Sequence, residues 1–395
     1  MSAPNYKRTK FACYSAYFTM SSVFCLPPLL FVTFHESYGI SWTLLGTLVL
    51  TNFCTQLAID LIFTMFSKHF NAKAIVRTMP LITSLGLLIY AIFPMLLPDL
   101  AYVGLLIGTV IFSVASGLSE VLLSPTIAAI PSENPQRDMS LLHSLYAFGV
   151  FFVVVVGTLF LKFVGEKYWS YLTMIFAALP IIASILFMLS PMPDMSAGEA
   201  ADGAKKSKKR TAAIALCVVC IFLGSCAENA MSNWISSYME AQLHIDKAVG
   251  DILGMAAFAI LLGLTRISYA KWGKSITKML LFGMIGASVC YLVAGLSTHI
   301  LPAFIACILT GIFTAMLWPG TLIMMEEKIR GVGVAAFALM AAGGDLGASV
   351  APQLMGVIAD NFSLKAGMLV CSVFPILGVL LMVVIMRFFR KNGEV

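Results

Sequence analysis

Four carboxylates interrupt otherwise apolar stretches of this sequence: Asp60, Glu120, Glu228 and Asp345. An ionisable side chain at the centre of a hydrocarbon-embedded helix costs about 2.5 to 3.5 kcal/mol, so such groups usually face a water-filled cavity. In that setting a carboxylate can hold and release a proton or hydrogen-bond a solute. These four residues are therefore the first candidates for chemistry.

Glu120 is part of a polar stripe in its apolar stretch. Ser113, Ser116 and Ser124 stand seven, four and four positions from it, which places all four side chains on one face of a helix. The stripe predicts a wet cavity in which Glu120 carries a proton. The alternative is a contact between small-residue helices, with the carboxylate hydrogen-bonded to a neighbour.

Glu228 belongs to the segment AENAMSNWISSYM (227–239), which combines amides with aromatic rings. Amide groups hydrogen-bond hydroxyls, and an aromatic ring packs on the apolar face of a polyhydroxylated ligand. The segment predicts proton coupling by Glu228 and binding of a solute by Asn229, Asn233, Trp234 and Tyr238. The alternative is an aromatic side chain at the membrane interface with incidental polar neighbours.

The remaining charged candidates lie on three other apolar stretches. Asp345 is central in the stretch 332–358, and Gln353 follows on its face two helical turns later, which predicts coupling and binding roles or a buried structural pair. Asp60 lies towards the end of its stretch, so we predict a gating or structural contact. Arg266 is predicted to play a structural or gating role as an anchor at the inner membrane interface.

The elements that must position these residues are membrane-spanning helices. The apolar share is 60% and the charged share 11%, whereas about a quarter of the residues in a soluble domain are charged. Most apolar runs reach the roughly 20 residues that cross a bilayer core. The predicted spans are 11–34, 42–66, 76–97, 101–129, 141–162, 168–190, 211–240, 249–269, 278–297, 301–325, 332–358 and 366–388. The fold class is thus an all-α membrane protein of twelve transmembrane helices.

A polar break divides these spans into two halves. We predict an N-terminal six-helix bundle (1–190), a basic cytoplasmic linker (191–210) and a C-terminal six-helix bundle (211–395), related by pseudo-symmetry. The N-terminus is placed inside, and all but four of the 25 lysines and arginines then fall on the cytoplasmic side. The exceptions are Lys162, Lys167, Lys247 and Lys365. This asymmetry predicts a multi-pass protein of the cell membrane with both termini cytoplasmic.

Several classes of function are disfavoured by the sequence. It has no GxxxxGK[ST] phosphate loop, no Ser-His-Asp order, no metal-ligand cluster and no large soluble domain, so we predict neither an enzyme nor a bound cofactor or metal. The net charge of +6 is spread over short loops, which argues against a nucleic-acid partner. The expected partners are the lipid bilayer and a small molecule, the expected energy source is a proton gradient, and the chain is expected to be a monomer.

Short motifs in both halves resemble one family. The seventh span carries Glu228, Trp234 and Tyr238, and the fourth carries Gly117, Leu118, Glu120 and Pro125. The segment TAMLWPGTLIMMEEKIRG (314–331) is followed by Gly343, Gly344, Pro352, Gly356 and Asp360. These patterns resemble the fucose:proton symporter group of the major facilitator superfamily.

The resemblance implies alternating access and proton-coupled uptake of a monosaccharide, with Glu120 as a proton carrier. At the start of the fifth span, the family's sugar-contacting Gln and Asn correspond to His143 and Tyr146. The family's acidic residue in the first span is absent, since Val23, Phe24 and Cys25 precede the prolines there. Glu228 and Asp345 are therefore the candidates for the second acidic group.

Two alternatives share this fold. One is a proton-antiport exporter of drugs or metabolites, and those exporters resemble one another in a Gly-Pro pair in the fifth span, which is absent from HSLYAFGVFFVVVVGTLFLK (143–162). The other is a sensor or a membrane-embedded enzyme on a transporter scaffold. The direction of proton-coupled flux separates the exporter from the symporter, and ligand binding without flux would identify the sensor.

Overall fold

The computed structural model describes residues 6–66, 69–133, 135–193, 208–273, 275–329 and 334–393, and these ranges are almost entirely helical. The first half contains α1 (Lys7–Leu29), α2 (Phe31–Tyr38), α3 (Trp42–Phe66), α4 (Ala72–Leu96), α5 (Ala101–Ala128), α6 (Pro135–Val164) and α7 (Trp169–Met188). The second half contains α8 (Lys208–Ser237), α9 (Lys247–Val249), α10 (Ala257–Trp272), α11 (Ile276–Leu296), α12 (Ile300–Thr314), α13 (Leu317–Lys328), α14 (Val334–Asn361), α15 (Leu364–Cys371) and α16 (Val373–Asn392). A π-helical turn extends α8 over Tyr238–Gln242, and another joins α9 to α10 over Gly250–Ala256.

Each of the predicted spans coincides with one helix or with a broken run of helices. The first span is bent by 47° between α1 and α2, directly after Pro27 and Pro28, because proline lacks the N–H that continues a helix. The tenth span is broken into α12 and α13, and the twelfth into α15 and α16. The helical period alone does not show such breaks.

The helices have the length and hydropathy of a membrane protein. Within the described residues, nine helices are long and apolar enough to cross a bilayer, or ten if the bent pair α1 and α2 is one span. The apolar part of α6 is shorter, covering Phe148–Val164, and α14 carries Gly343, Gly344 and Asp345 near its middle. This architecture confirms the predicted all-α membrane fold.

The chain forms two compact units. The first comprises Met1–Ile40 and Thr51–Glu199. Its α4 and α5 approach closely, because a Cβ built on Gly86 would lie 2.5 Å from the backbone nitrogen of Phe112. An aromatic cluster of Phe34, Tyr90 and Trp169 fills its core, with 4.8 Å between the ring centres of Phe34 and Trp169.

The second unit comprises Ser41–Leu50 and Ala200–Val395. Its α8 and α14 are in close contact, since a Cβ on Gly347 would lie 2.4 Å from the carbonyl oxygen of Phe222. Two details differ from the predicted domains. The first turns of α3 belong to this unit, and the predicted linker already turns helical at Lys208, while residues 194–207 of that linker lie outside the described residues. A charge run indicates solvation but does not show where the next helix begins.

An ion pair joins the start of α1 to the start of α6. Lys10 donates to the carboxylate of Asp138, and the hydroxyl of Ser132 donates to the same oxygen at 2.5 Å. The hydrogen bond from Lys10, followed by that from Ser132, holds the pKa of Asp138 below its usual range.

This contact predicts a pH-dependent contribution to stability. Because the folded pKa of Asp138 is lowered, the contribution is present above the unfolded pKa of about 3.9 and is lost as the pH falls through the folded value. We expect the melting temperature of the purified wild type to fall more steeply than that of Asp138→Asn between about pH 5 and about pH 3. Lys10→Gln should behave like Asp138→Asn. Parallel curves of melting temperature against pH for the wild type and both variants would show that the ion pair does not contribute to stability.

Candidate functional site

In the first unit, two polar stripes face each other across α3 and α5. Asn52, Gln56 and Asp60 recur every four residues on α3, so they share one face. Ser113 of α5 donates to Asn52 Oδ1 at 2.6 Å, and Gln56 donates to the same atom at 3.0 Å. The stripe predicted around Glu120 therefore has a polar partner helix.

Two carboxylates stand together towards one end of these stripes. Asp60 and Glu120 interact electrostatically, although 60 positions separate them in the sequence. Gly117 permits the approach of the two helices, because a Cβ there would lie 3.1 Å from Asp60 Oδ1. The sequence indicated gating or a structural contact for Asp60; the structure places it beside the predicted proton carrier.

Neither carboxylate is neutralised by a cation among the described residues. Asp60 Oδ1 is buried and accepts no hydrogen bond from them, and the hydroxyl of Ser116 is likewise buried and unpaired. The side chain of Glu120 is exposed. An exposed carboxylate in a membrane span requires water, since hydrocarbon cannot solvate it. The wet cavity and the dry helix contact considered for Glu120 both stay predictions.

Aromatic rings line up on α1 and α6 of the same unit. The ring of Tyr146 packs edge-on against Phe24 at 5.7 Å and against Tyr17 at 6.4 Å between ring centres. His143 lies one turn earlier on α6, but its side chain is outside the described part of the chain. Tyr146 remains a predicted ligand contact, and its surroundings are aromatic.

In the second unit, Glu228 of α8 forms an ion pair with Arg266 of α10. Arg266 Nη2 donates to both carboxylate oxygens, at 3.0 and 3.3 Å. The side chain of Glu228 is 18% exposed and that of Arg266 is 38% exposed. The sequence predicts a structural or gating role for Arg266 as an anchor at the inner interface, and the structure directs its guanidinium to a carboxylate of α8.

The same arginine satisfies a carbonyl at the break between α12 and α13. Pro319 has no N–H, so the carbonyl of Ala315, four residues earlier, loses its helical partner. Arg266 Nε donates to that oxygen at 2.8 Å. One guanidinium therefore connects Glu228 to the break in the tenth span.

Two amides flank Glu228 on α8. Asn229 Nδ2 donates to the carbonyl of Ser225 at 3.1 Å, and Asn233 Nδ2 donates to the carbonyl of Asn229 at 2.9 Å. These contacts fix the amides and direct their nitrogens into the helix. Within the described residues, nothing donates to their Oδ1 atoms, so both oxygens are open to a hydroxyl of a solute.

The two aromatic residues predicted to bind a solute are packing residues here. Trp234 and Tyr238 are both 0% exposed. The Trp234 indole donates to the carbonyl of Pro352 at 3.0 Å, and the Tyr238 hydroxyl donates to the carbonyl of Ala294 at 2.6 Å. Both rings are therefore part of the packed interior with their polar atoms satisfied, and the predicted contact with a solute stays a prediction.

On α14, Asp345 and Gln353 have different surroundings. Asp345 is 5% exposed, and Ser349 donates to its backbone carbonyl at 2.7 Å. Gln353 Oε1 is buried, and no described residue donates to it. Such an acceptor is costly to the fold unless something else occupies it. Gln353 is thus a candidate contact for a solute, whereas Asp345 lies in the packed interior.

The unsatisfied Gln353 Oε1 gives a test that distinguishes a structural role of Gln353 from a role in binding. We expect Gln353→Leu to keep or raise the melting temperature, because the change removes an unsatisfied buried acceptor. Gln56→Leu is the matched control, since Gln56 is 1% exposed and its amide donates to Asn52. Loss of that hydrogen bond should cost about 1 kcal/mol of stability and so lower the melting temperature. If Gln353→Leu lowers the melting temperature as much as Gln56→Leu, Gln353 is structural.

Asn52 and Gln56 are the site residues that the sequence reasoning missed. Their signal was available, since both stand at four-residue spacing before Asp60. An uncharged amide in an apolar stretch attracts less notice than a carboxylate. The unpaired carbonyl of Ala315 could also be predicted from the sequence, because the residue four positions later, whose N–H would bond to it in a helix, is Pro319.

Among the described residues, no group of three His, Cys, Asp or Glu side chains could hold a metal ion. The described residues offer paired carboxylates, an ion pair and open amide oxygens.

A family model described as the Major Facilitator Superfamily matches residues 12–335.

The chain belongs to the Major Facilitator Superfamily. This membership indicates a transporter rather than an enzyme. None of the curated proteins matches the chain well enough to count as a relative. The other similar proteins are known from their solved structures.

Solved structures of superfamily members share the fold along the whole chain. The D-xylose-proton symporter gives a TM-score of 0.81 at 13% identity, covering 96% of this chain and 97% of that chain. A bacterial homolog of the human lysosomal transporter Spinster gives 0.78 at 12% identity, covering 99% of each. FucP in the outward conformation gives 0.62 at 14% identity, covering 96% and 99%. These likenesses support the predicted resemblance, and at such identities they establish the fold alone.

Proposed function

We propose that this superfamily member is a proton-coupled symporter that takes up a small polar solute, a monosaccharide, by alternating access. The observation that carries the proposal is the pair Asp60 and Glu120, two carboxylates of α3 and α5 that interact electrostatically and have no neutralising cation among the described residues. The D-xylose-proton symporter and FucP share the fold, which supports sugar as the solute class.

Glu120 acts in this proposal as the group that takes and releases the proton. Two carboxylates held together cannot both ionise without repulsion, so one proton shared by the pair lowers the free energy of the loaded state. Asp60 interacts electrostatically with Glu120 and in this proposal stabilises the proton held there. The exposed side chain of Glu120 gives water access to the pair.

Recognition of the solute is assigned to groups with open acceptors or ring faces. The Oδ1 atoms of Asn229 and Asn233 and the buried Oε1 of Gln353 accept hydroxyl protons. Tyr146 belongs to the first unit, where its ring packs against Phe24, and its contact with a solute stays a separate prediction from the sequence. A sugar has both features that such groups require, hydroxyls to donate and an apolar ring face.

Glu228 and Asp345 have a different part. Arg266 neutralises Glu228, and an ion pair within a bundle conserves net charge when the protein changes state. Glu228 therefore holds the break of the tenth span in place and does not carry the coupling proton. Asp345 lies in the packed contact of α14 and is assigned to the fold.

The test has a binding step and a flux step. Purified protein is screened by thermal shift against monosaccharides, amino acids and nucleosides, since a ligand of the folded state raises the melting temperature. The best ligand is then offered to proteoliposomes with an imposed proton gradient. Accumulation of a sugar down the proton gradient supports the proposal. Sugar export against proton entry establishes the exporter, and binding without flux establishes the sensor.

A further inference from the structure

A cavity of about 760 Å³ lies in the second unit, away from the residues discussed above. It is formed by α11, by the end of α13 and by one face of α16. Its charged lining consists of Lys328, Arg387 and Arg390. No carboxylate lines it among the described residues, and none of the three cations has a hydrogen bond or ion pair with another of those residues. Three like charges around one cavity repel each other and favour an anionic occupant.

The apolar lining is arranged beside these charges. Val383, Met386, Arg387 and Arg390 recur at helical spacing on α16, so they share one face. The apolar pair comes first and the arginines follow towards the end of the helix. Leu281 of α11 adds a further apolar wall. The cavity is therefore cationic at one end and apolar along its length.

We propose that this cavity is a binding site for an anionic phospholipid of the cytoplasmic leaflet. The phosphate of the head group lies against Lys328, Arg387 and Arg390, and an acyl chain lies along Val383 and Met386. Basic pockets between membrane helices on the cytoplasmic side bind acidic head groups in this way. The lysine and arginine asymmetry of the sequence predicts that this end of α16 faces the cytoplasm.

A lipid fits the cavity better than a free phosphate does. A phosphate ion needs only the charged end and would leave the apolar wall without an occupant. The volume of about 760 Å³ is within the range of sites that bury a ligand with a large apolar portion. Bound lipid would also bridge α13 and α16, which gives it a means to stabilise this part of the unit.

The test compares binding of two lipids that differ only in head-group charge. The full-length protein is purified, and native mass spectrometry measures its affinity for dioleoyl phosphatidylglycerol and for dioleoyl phosphatidylcholine. We expect a clear preference for the anionic lipid. Each cation near a lipid phosphate is worth about fivefold in affinity, so the double variant R387Q/R390Q should lose roughly 25-fold for the anionic lipid alone.

The control variant removes the same charge from the same face of the membrane. Lys278 on α11 and Lys391 on α16 are exposed and do not line the cavity, so K278Q/K391Q should keep the preference. Lys328→Gln alone should lose about fivefold, which preserves the test if the double variant does not fold. Equal loss in the two double variants overturns the site. Equal affinity for both lipids, or displacement of the anionic lipid by inorganic phosphate alone, overturns it as well.

Discussion

We expect the Glu120→Gln variant to lose proton-driven accumulation of solute while retaining exchange of solute across the membrane. Glutamine has the shape of a protonated glutamate but cannot release a proton, so the loaded state is permanently mimicked. The gradient then drives nothing, and the concentration ratio in proteoliposomes falls to equilibrium. Exchange of labelled for unlabelled solute needs no net proton movement and continues. The two measurements are made on the same vesicles.

Matched variants make this result specific. Glu133→Gln is the same chemical change at an exposed position after α5, and it should leave accumulation intact. Asp60→Asn should weaken coupling without abolishing exchange, because Asp60 acts on the proton held by Glu120. Undiminished accumulation by Glu120→Gln would remove this residue from the coupling mechanism and with it the proposed symport.

We expect Arg266→Gln to lower the melting temperature more than any other single change discussed here. The substitution leaves the Glu228 carboxylate without its partner and the carbonyl of Ala315 without its donor. Breaking a fully buried ion pair costs about 3 to 5 kcal/mol, and an exposed pair is worth up to about 1 kcal/mol. Because Arg266 is 38% exposed, the loss should lie between these limits.

The double variant Glu228→Gln/Arg266→Gln isolates the ion pair. It removes both charges, so it should be more stable than the sum of the single changes predicts, with a coupling energy of about 1 to 3 kcal/mol. Lys271→Gln removes a cation from the end of the same helix and should change stability by less than about 0.5 kcal/mol. Strictly additive effects of the two single variants would show that the pair does not stabilise the bundle.

The two expected results together give the acidic residues different roles. Glu120 and Asp60 stand without a cation among the described residues and are suited to titration. Glu228 is held by Arg266 and is suited to holding the break between α12 and α13 in place. Loss of coupling in Glu120→Gln with normal stability, and loss of stability in Arg266→Gln, would separate the coupling group from the structural group.

The sequence by itself determined the membrane fold, the positions of the helices and the places where charge enters an apolar span. Hydropathy is a local property summed over about 20 residues, so it does not depend on which helices pack together. The sequence also placed Glu120 on a polar stripe, because the spacing of residues along a helix is a local property as well.

Only the tertiary structure decided which of these groups meet. It brought Asp60 to Glu120, directed Arg266 to Glu228 and to Ala315, and packed Trp234 and Tyr238 into the interior. Such contacts depend on the rotation of each helix about its axis and on close approach at residues such as Gly117 and Gly347. Those quantities are set by packing between segments far apart in the chain, and no single apolar stretch contains them.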